Sequence, residues 1–268
     1  MGPPNLGSAQ IACDQICELR VFRKGLIYTS PMSQTLLTAP EVSASPAWES
    51  VAAIVDHTLL KPEAPRSAVE KLCGEAAKYR FACAFVHQVW APTAIDILRG
   101  TGIKVGVPVG FPQGASFTSA KRFEALESLK VGAHDIDMVL NIGALKSGEH
   151  RVVETDIRGV AQIVHDFGGI LKVILETSLL NLDEKIVACQ LSMAAGADYV
   201  KTSTGFAGGG ATVDDIALMR GVVGDKLGVK ASGGVRTAQD AIAMIHAGAS
   251  RLGTSAGVNI VRELGAAE

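Results

Sequence analysis

Residues 104–141 read KVGVPVGFPQGASFTSAKRFEALESLKVGAHDIDMVLN, and this one stretch holds two apolar runs joined by a helical segment. The runs KVGVPVGFP and HDIDMVLN are rich in Val and Ile, which are favoured in β-strands. Between them, Ser119 precedes residues with helical spacing, and VGA follows, whose glycine ends the helix before the next strand. A strand, a helix and a strand in this order predict a parallel pair with a crossover helix.

The same alternation runs along the chain from Trp48 onward. Further helical segments begin near Ser67, Asp183 and Thr237, and two more of them end at GAD and GAS. The eight apolar runs are VAAIVDHT (51–58), FACAFVH (81–87), KVGVPVGFP (104–112), HDIDMVLN (134–141), LKVILETS (171–178), DYVKTSTG (198–205), GVKASGG (228–234) and SRLGTSAG (250–257). Strands that are apolar throughout and joined by helices are parallel and covered on both faces. The pattern predicts an α/β protein with one closed (β/α)₈ TIM barrel, because the GxGxxG signature of an open dinucleotide-binding sheet is missing after the first run.

Residues 1–45 differ from the rest, because they hold Gly, Pro, Ser and Thr clusters with no repeating or amphipathic pattern. We expect them to form a loosely ordered N-terminal extension, or to reflect translation from an upstream start codon, and residues 46–268 to form the barrel domain. A targeting peptide fits less well because Asp14, Glu18 and Glu41 are acidic.

The composition is that of a folded, soluble protein, with 48% hydrophobic and 19% charged residues among 268. A formal charge of −2 gives no general attraction to nucleic acid or to an anionic membrane, so we expect neither as a partner. No apolar run approaches the ~18 residues of a membrane span. The five cysteines are few and unevenly spread, which favours the reducing cytoplasm and makes Cys13 and Cys17 two ordinary thiols rather than a zinc site.

In a barrel of this kind the chemistry lies at the carboxyl ends of the strands. The polar residues near those ends are Asp56, His57, His87, Asp135, Asp137, Asn141, Glu176, Lys201 and Lys230. Several have an ordinary structural explanation, the histidines as packing or loop residues and Glu176 as a support for another polar group. Asp135 and Asp137 alternate with Ile136 and Met138, so we expect both carboxylates on one side of their strand.

Lys201 and Lys230 are harder to explain by structure alone, because each follows an apolar run that looks like a buried strand. A charged lysine inside a barrel costs several kcal/mol unless it is paired or neutral. Two close ammonium groups repel, which lowers the pKa of one of them, and a neutral amine is what attack on a carbonyl carbon requires. Position alone leaves two interpretations open: a Schiff-base lysine, or structural ion pairs with Asp56 and Asp137.

Seven motifs stand in order along the predicted barrel: DHTLLKPEA (56–64), VGFPQGA (109–115), DIDMVLNIGALKSG (135–148), LKVILETSLL (171–180), YVKTSTGF (199–206), VKASGGVRT (229–237) and SRLGTSAG (250–257). Together they resemble the 2-deoxyribose-5-phosphate aldolase family, and the likeness runs from about residue 46 to residue 262. Seven motifs at sensible spacing are far more specific than any one of them.

The resemblance implies a class I aldolase without metal or cofactor, which reversibly cleaves 2-deoxy-D-ribose 5-phosphate into acetaldehyde and D-glyceraldehyde 3-phosphate. In the family pattern Lys201 forms the imine, and Lys230 is the neighbouring ammonium that perturbs its pKa and joins the proton relay. Asp137 takes part in that relay and Asp56 supports the network. The chemistry agrees, because an imine is a better electron sink than a carbonyl, and Asp137 acting through a water suits the proton transfers.

The sugar phosphate would be held by backbone N–H groups of the glycine-bearing loops, since barrels commonly bind phosphate after strands seven and eight. The candidates are Gly205, Gly233, Gly234, Gly253 and Ser255. Each glycine has the alternative explanation of tight packing between loop and strand.

Some positions depart from the family pattern. Phe85 replaces a cysteine near the site, His87 and Gln88 replace Asn and Pro, and Phe206 stands where some members carry a lysine. These changes affect the expected acceptor preference and turnover more than the reaction type.

Two other functions compete with this interpretation. One is a class I aldolase or transaldolase of a different sugar phosphate. The other is a catalytically diverged barrel that acts as an interaction protein, which predicts a damaged site, whereas both lysines and both aspartates are present. Assembly into a homo-oligomer is left open.

Overall fold

The structure is a computed structural model that describes residues 46–267, so the expectations for residues 1–45, including those for Cys13 and Cys17, lie outside the described residues. Eight parallel strands close into a barrel in which each strand pairs with the next and β8 pairs with β1. The strands are β1 (Val55–Leu59), β2 (Cys83–Val86), β3 (Lys104–Val109), β4 (Asp135–Val139), β5 (Ile170–Ile174), β6 (Tyr199–Lys201), β7 (Gly228–Ser232) and β8 (Arg251–Thr254). The predicted TIM barrel is confirmed.

Helices follow the strands and cover the outside of the barrel. Those in the described part of the chain are α1 (Trp48–Ala52), α2 (Arg66–Tyr79), α3 (Ala91–Leu98), α4 (Thr118–Lys130), α5 (Ile142–Lys146), α6 (His150–Asp166), α7 (Leu182–Ala194), α8 (Val213–Val223), α9 (Ala238–His246) and α10 (Gly257–Glu263), with single 3₁₀ turns at Gln88–Trp90 and Thr177–Leu179. None of the helices between residues 46 and 267 is long and apolar enough to cross a membrane.

The apolar runs become strands because their side chains are buried on both faces. All five residues of β4 are buried, and Val173, Val200 and Val229 of the next three strands are fully covered. Their outward faces pack against the helices, and this layer is the hydrophobic core. The inward faces carry polar groups instead, which places the chemistry inside the barrel.

The predicted glycine stops are confirmed. Gly132, Gly196 and Gly248 follow α4, α7 and α9 with φ angles of 106°, 85° and 110°. A residue with a side chain is strained at such angles, so glycine ends each helix and directs the chain toward the next strand.

Some predicted boundaries were wrong. Val51 and Ala52 belong to α1 and not to the first strand. Helix α2 begins at Arg66 after Pro65, and α4 begins at Thr118, so Ser67 and Ser119 lie inside the first turn and cap nothing. Thr237 does cap α9, because its side chain accepts a hydrogen bond from Asp240 N and the Asp240 side chain bonds back.

Candidate active site

Seven ionisable side chains lie inside the barrel, on the inward faces of β1 and of β4 to β8. They are Asp56 on β1, Asp135 and Asp137 on β4, Lys172 on β5, Lys201 on β6, Lys230 on β7 and Arg251 on β8. Arg251 is 12% exposed and the side chains of the other six are at most 4% exposed. Burial of this many charges is tolerable only when they are paired with one another.

The two lysines predicted from the sequence meet at one carboxylate. Lys201 Nζ and Lys230 Nζ each lie 2.8 Å from Asp137 Oδ2 and donate hydrogen bonds to it. Lys230 also donates to Asp56 Oδ2, on the strand that closes the barrel. The structure therefore brings together all four residues that we predicted for the core chemistry.

Lys172 was missed from the sequence. Its side chain is fully buried, and its amine bonds to Asp135 Oδ2 and lies 3.3 Å from Asp137 Oδ1 and 3.7 Å from Asp56 Oδ2. A lysine inside the otherwise apolar run LKVILETS was the available signal, the same signal that singled out Lys201.

Arg251 was also missed. Its guanidinium donates to Asp135 Oδ2 at 3.0 Å, and its Nε lies 3.3 Å from Asp56 Oδ1. His134 Nδ1 lies 2.7 Å from the other oxygen of Asp135. Lys172, Arg251 and His134 thus hold Asp135 in place.

The charges of this cluster favour the loss of one proton. Lys201 has a single carboxylate partner, Asp137, whereas Lys172 and Lys230 each have at least two, so Lys201 is the lysine that loses it most easily. Three carboxylates (Asp56, Asp135 and Asp137) face three cations (Lys172, Lys230 and Arg251), and Lys201 is a fourth cation. With Lys201 neutral, the buried cluster has no net charge. A charged Lys201 would leave one uncompensated positive charge in a desolvated interior, which is unfavourable.

The pKa values follow this arrangement. Burial, together with the charge of Lys230, lowers the pKa of Lys201 to about 8 against the opposing pull of Asp137. Burial also lowers the pKa of Lys172, but Asp137, Asp56 and Asp135 outweigh it, so the net pKa is raised. The charge of Lys230 thus acts in the direction we expected, although burial is the larger cause.

Asp137 is held as a carboxylate. Burial raises its pKa, but Lys172, Lys201 and Lys230 outweigh that effect and bring the pKa below the usual range. Asp137 is consequently an anionic acceptor that positions two amines, and a proton on it is unfavourable at rest.

An aromatic ring covers both amines. The Phe85 ring centroid lies 5.2 Å from Lys201 Nζ and 4.5 Å from Lys230 Nζ. Cys83 points to the same side of β2, and Leu60 and Phe111 complete a small apolar cluster with these two residues. The thiol position of the family pattern is thus filled by a ring that excludes water from the amines.

The remaining polar residues near the strand ends have structural partners. His57 lies on the outer face of β1, where Nε2 bonds to Glu75 at 2.9 Å, and burial lowers its pKa. His87 Nε2 is 2.9 Å from Leu60 O, and the Asn141 side chain caps α5. The structural alternative was therefore correct for His57 and His87.

Glu176 supports the loop after β6. Its backbone is left-handed (φ 57°), and its buried carboxylate accepts hydrogen bonds from Thr204 N at 3.1 Å and from the Thr204 hydroxyl. A non-glycine residue in this conformation is strained and is retained where its position matters. Glu176 thus fixes the loop that carries Gly205.

A cavity of about 300 Å³ opens at the carboxyl ends of the strands. All five predicted phosphate candidates line it: Gly205, Gly233, Gly234, Gly253 and Ser255. Gly205, Gly233 and Gly234 have φ angles of 87°, 86° and 84°, so these loops need glycine for their shape. Gly253 has a further reason, because a Cβ there would lie 2.9 Å from Lys230 Cε.

Two cationic side chains at this cavity were not predicted. Lys61 and Arg236 line it from the loops after β1 and β7, and both are exposed. They place positive charge at the cavity where Phe206 contributes none. Lys61 belongs to the DHTLLKPEA motif and Arg236 to VKASGGVRT, so the motifs contained them.

One group of side chains has the spacing of a metal site. Ligand atoms of Asp56, Cys83 and Asp135 all lie within 4.8 Å of one another. Burial, followed by the charges of Asp135 and Asp56, raises the pKa of the Cys83 thiol well above its usual value. Because both carboxylates are already bound to buried cations, this donor set does not fit a metal ion.

Comparison with known proteins gives a consistent result. The family model described as DeoC/LacD family aldolase matches residues 50–263. The chain is 54% identical to a deoxyribose-phosphate aldolase of Thermoanaerobacter sp. (strain X514), covering 80% of this chain and 96% of that protein. It is 53% identical to a deoxyribose-phosphate aldolase of Bacillus subtilis (strain 168), covering 80% and 95%.

A solved structure agrees as well. The chain superposes on the tetrameric deoxyribose phosphate aldolase of Aeropyrum pernix with a TM-score of 0.76 at 32% identity, covering 81% of this chain and 91% of that one.

Proposed function

The chain belongs to the DeoC/LacD family of aldolases, and on this premise we propose that Lys201 is the lysine that forms an imine with an aldehyde substrate. One observation carries the proposal: Lys201 is the surplus cation of a buried, otherwise neutral cluster, and burial lowers its pKa to about 8. A useful fraction of neutral amine is therefore present near neutral pH. The relatives are named deoxyribose-phosphate aldolase, so the substrate is 2-deoxy-D-ribose 5-phosphate and the products are acetaldehyde and D-glyceraldehyde 3-phosphate.

The reaction begins when neutral Lys201 Nζ attacks C1 of the open-chain sugar phosphate. The adduct takes a proton from Lys230 and loses water, which leaves a protonated imine. The C3 hydroxyl then loses its proton, the C2–C3 bond breaks, and the electron pair of that bond enters the imine to give an enamine. D-Glyceraldehyde 3-phosphate departs. A proton added to C2 and attack by water release acetaldehyde and restore the amine.

The neighbours of Lys201 serve the proton transfers. Lys230 is the proton donor, because its ammonium lies beside the same Asp137 oxygen as the Lys201 amine. Asp137 accepts a proton only in passing, since three cations hold its pKa low. Asp56 holds Lys230 in place through its own hydrogen bond.

The phosphate occupies the cavity lined by the loops after β6, β7 and β8. The backbone N–H groups of Gly233, Gly234 and Ser255 are the donors we assign to it, because these residues line the cavity, and Lys61 and Arg236 add positive charge there. The cavity lies close to the Lys230 side chain, because Gly253 lines it from β8 and a Cβ on this glycine would lie 2.9 Å from Lys230 Cε. A substrate with an aldehyde at one end and a phosphate at the other fits this arrangement.

The test is reduction of the protein with borohydride in the presence of acetaldehyde, followed by peptide mass mapping. A two-carbon addition on the peptide that carries Lys201, prevented by Lys201→Leu, is expected. Lys121→Leu is the control, because Lys121 is equally buried but bonds to Asp156 and Val139 O outside the cluster. An unmodified protein, or a label elsewhere, would remove the imine proposal.

The cellular location and the oligomeric state of the protein remain predictions. The cytoplasm is expected because Cys73, Cys83 and Cys189 are free thiols. A homo-oligomer is expected by analogy with the Aeropyrum pernix enzyme, whose structure is described as tetrameric.

A further inference from the structure

Phe85 occupies the space beside the site where the imine forms. The side chain is fully buried, and its ring centroid is 5.2 Å from Lys201 Nζ. Carbon atoms in contact are about 3.5–4.0 Å apart, so no further non-bonded atom fits between the ring and this nitrogen. Any group on the imine that points toward β2 meets the ring.

Gly106 makes room for this ring. It is the direct partner of Phe85 in the pairing of β2 with β3. A Cβ on Gly106 would lie 2.5 Å from Phe85 Cδ2 and 2.9 Å from Cys83 Sγ, distances at which atoms overlap. Gly106 is not among the glycines with positive φ, so the backbone does not require it. The close approach of the Phe85 ring is what requires glycine at position 106.

We propose that Phe85 and Gly106 form a size-matched pair that admits only hydrogen on the carbon next to the imine carbon, which makes Phe85 a specificity-determining residue for the aldehyde donor. This inference rests on the proposed function. In cleavage that carbon is C2 of the sugar, which has no hydroxyl in a 2-deoxy sugar. In synthesis it is the methyl carbon of acetaldehyde.

Two kinds of substituent are rejected for different reasons. A methyl group on that carbon, as in propanal, overlaps the ring. A hydroxyl, as in glycolaldehyde or in ribose 5-phosphate, loses its water against an apolar face that offers no hydrogen-bond partner. The ring thus accounts for a deoxy-sugar specificity without any polar contact to C2.

The experiment measures kcat/KM for addition of acetaldehyde, propanal and glycolaldehyde to D-glyceraldehyde 3-phosphate. In Phe85→Ala the ratio of kcat/KM for propanal to kcat/KM for acetaldehyde should rise by at least about tenfold, the effect of one methylene in an apolar pocket. The ratio for glycolaldehyde should rise less, because the enlarged space still lacks a hydrogen-bond partner. Adding Gly106→Ala to Phe85→Ala should lower the propanal ratio again, since the new methyl group refills the space.

The matched control is Phe81→Ala. Phe81 is as buried as Phe85, but its ring packs against His57 and Tyr79 on the outside of the barrel. Its loss destabilises the protein and should leave the donor ratio unchanged. Phe85→Leu gives a second variant if Phe85→Ala does not fold, with a smaller shift in the same direction.

The results separate the two proposals. If acetaldehyde and borohydride do not label Lys201 in the unmodified protein, the proposed function is wrong. If labelling is normal and the donor ratio of Phe85→Ala or Phe85→Leu equals that of the unmodified protein and of Phe81→Ala, the role of Phe85 is wrong.

Discussion

Lys201 and Lys230 are register partners on β6 and β7, and their amines donate to one oxygen of Asp137, each at 2.8 Å. Two ammonium groups sharing one acceptor repel each other, so the state with one proton removed is favoured. The charge of the second lysine therefore helps to lower the pKa of the first, and burial is the larger cause.

Lys172 sets the charge of the same cluster from a third strand. Lys172→Met removes one positive charge from a cluster that holds three carboxylates, so Lys201 should keep its proton more readily. Its pKa should rise, and borohydride trapping at pH 7 should fall by roughly tenfold for each unit of that rise and recover at higher pH. The measurement is trapping yield against pH.

Lys121→Met is the control for this variant. Lys121 is a fully buried lysine paired with Asp156, and its loss should cost about 3–5 kcal/mol of stability by stranding that carboxylate. Its trapping profile should match that of the unmodified protein. Coincident profiles for Lys172→Met and Lys121→Met would show that charge balance does not govern Lys201.

The lowered pKa of Lys201 also makes stability depend on pH. The pKa of Lys201 is about 8 in the folded protein and has its usual value of 10.5 in the unfolded chain, so between these pH values the unfolded chain binds more protons and stability rises with pH. Relative to Lys201→Leu, the unmodified protein should gain on the order of 3 kcal/mol between pH 7 and pH 10.5. Urea unfolding at several pH values measures the free energy of unfolding of both proteins. A difference between them that stays constant with pH would contradict the prediction.

The fold was predictable because its signals are local. Val- and Ile-rich runs gave the strands, and glycines such as Gly132 marked the helix ends, since a positive φ leaves few other choices. Ser67 and Ser119 misled because serine is also tolerated within the first turn of a helix. Helices α2 and α4 begin without a side-chain cap, so no residue type in the sequence marks their first residue.

The site was predictable only in part, because its partners depend on register. Asp137 and Lys172 pair directly across β4 and β5, a relation that no spacing along the chain displays. Arg251 likewise reaches Asp135 across the interior of the barrel. The sequence shows Phe85 only as a departure from the family pattern, whereas the structure places its ring 5.2 Å from the Lys201 amine.

Arg236 should contribute to binding of the substrate's phosphate. Arg236→Ala is expected to raise KM for 2-deoxyribose 5-phosphate by about tenfold, the effect of a lost charge-assisted hydrogen bond, and to leave kcat/KM for unphosphorylated 2-deoxyribose unchanged. Arg99→Ala is the control, since Arg99 is an exposed arginine that pairs with Asp96 after α3. Equal losses for both substrates would show that Arg236 acts on the fold and not on phosphate.

The site should tolerate acetaldehyde well, because no thiol among residues 46–267, which the structure describes, lies beside the imine position. Cys83 is buried beneath Phe85, and burial raises its pKa well above the usual value, which suppresses the reactive thiolate. Cys83→Ala should therefore not prolong activity during incubation with acetaldehyde. Phe85→Cys should shorten it, whereas Phe85→Ser, of similar size, should not. A longer half-life in Cys83→Ala would identify Cys83 as the target.

Replacing each lysine in turn tests their separate roles. Lys201→Leu should abolish imine trapping at every pH, because the nucleophile is gone. Lys230→Leu removes the repulsion but not the burial, so the pKa of Lys201 should rise from about 8 toward the usual value without reaching it. Each unit of increase reduces the neutral fraction at pH 7 roughly tenfold, so trapping should be weak at pH 7 and grow as pH rises. Circular dichroism checks that both variants fold. Normal trapping at pH 7 in Lys230→Leu, or a label on Lys230 in the unmodified protein, would reverse the assignment, because the amine that keeps its proton cannot be the one that attacks.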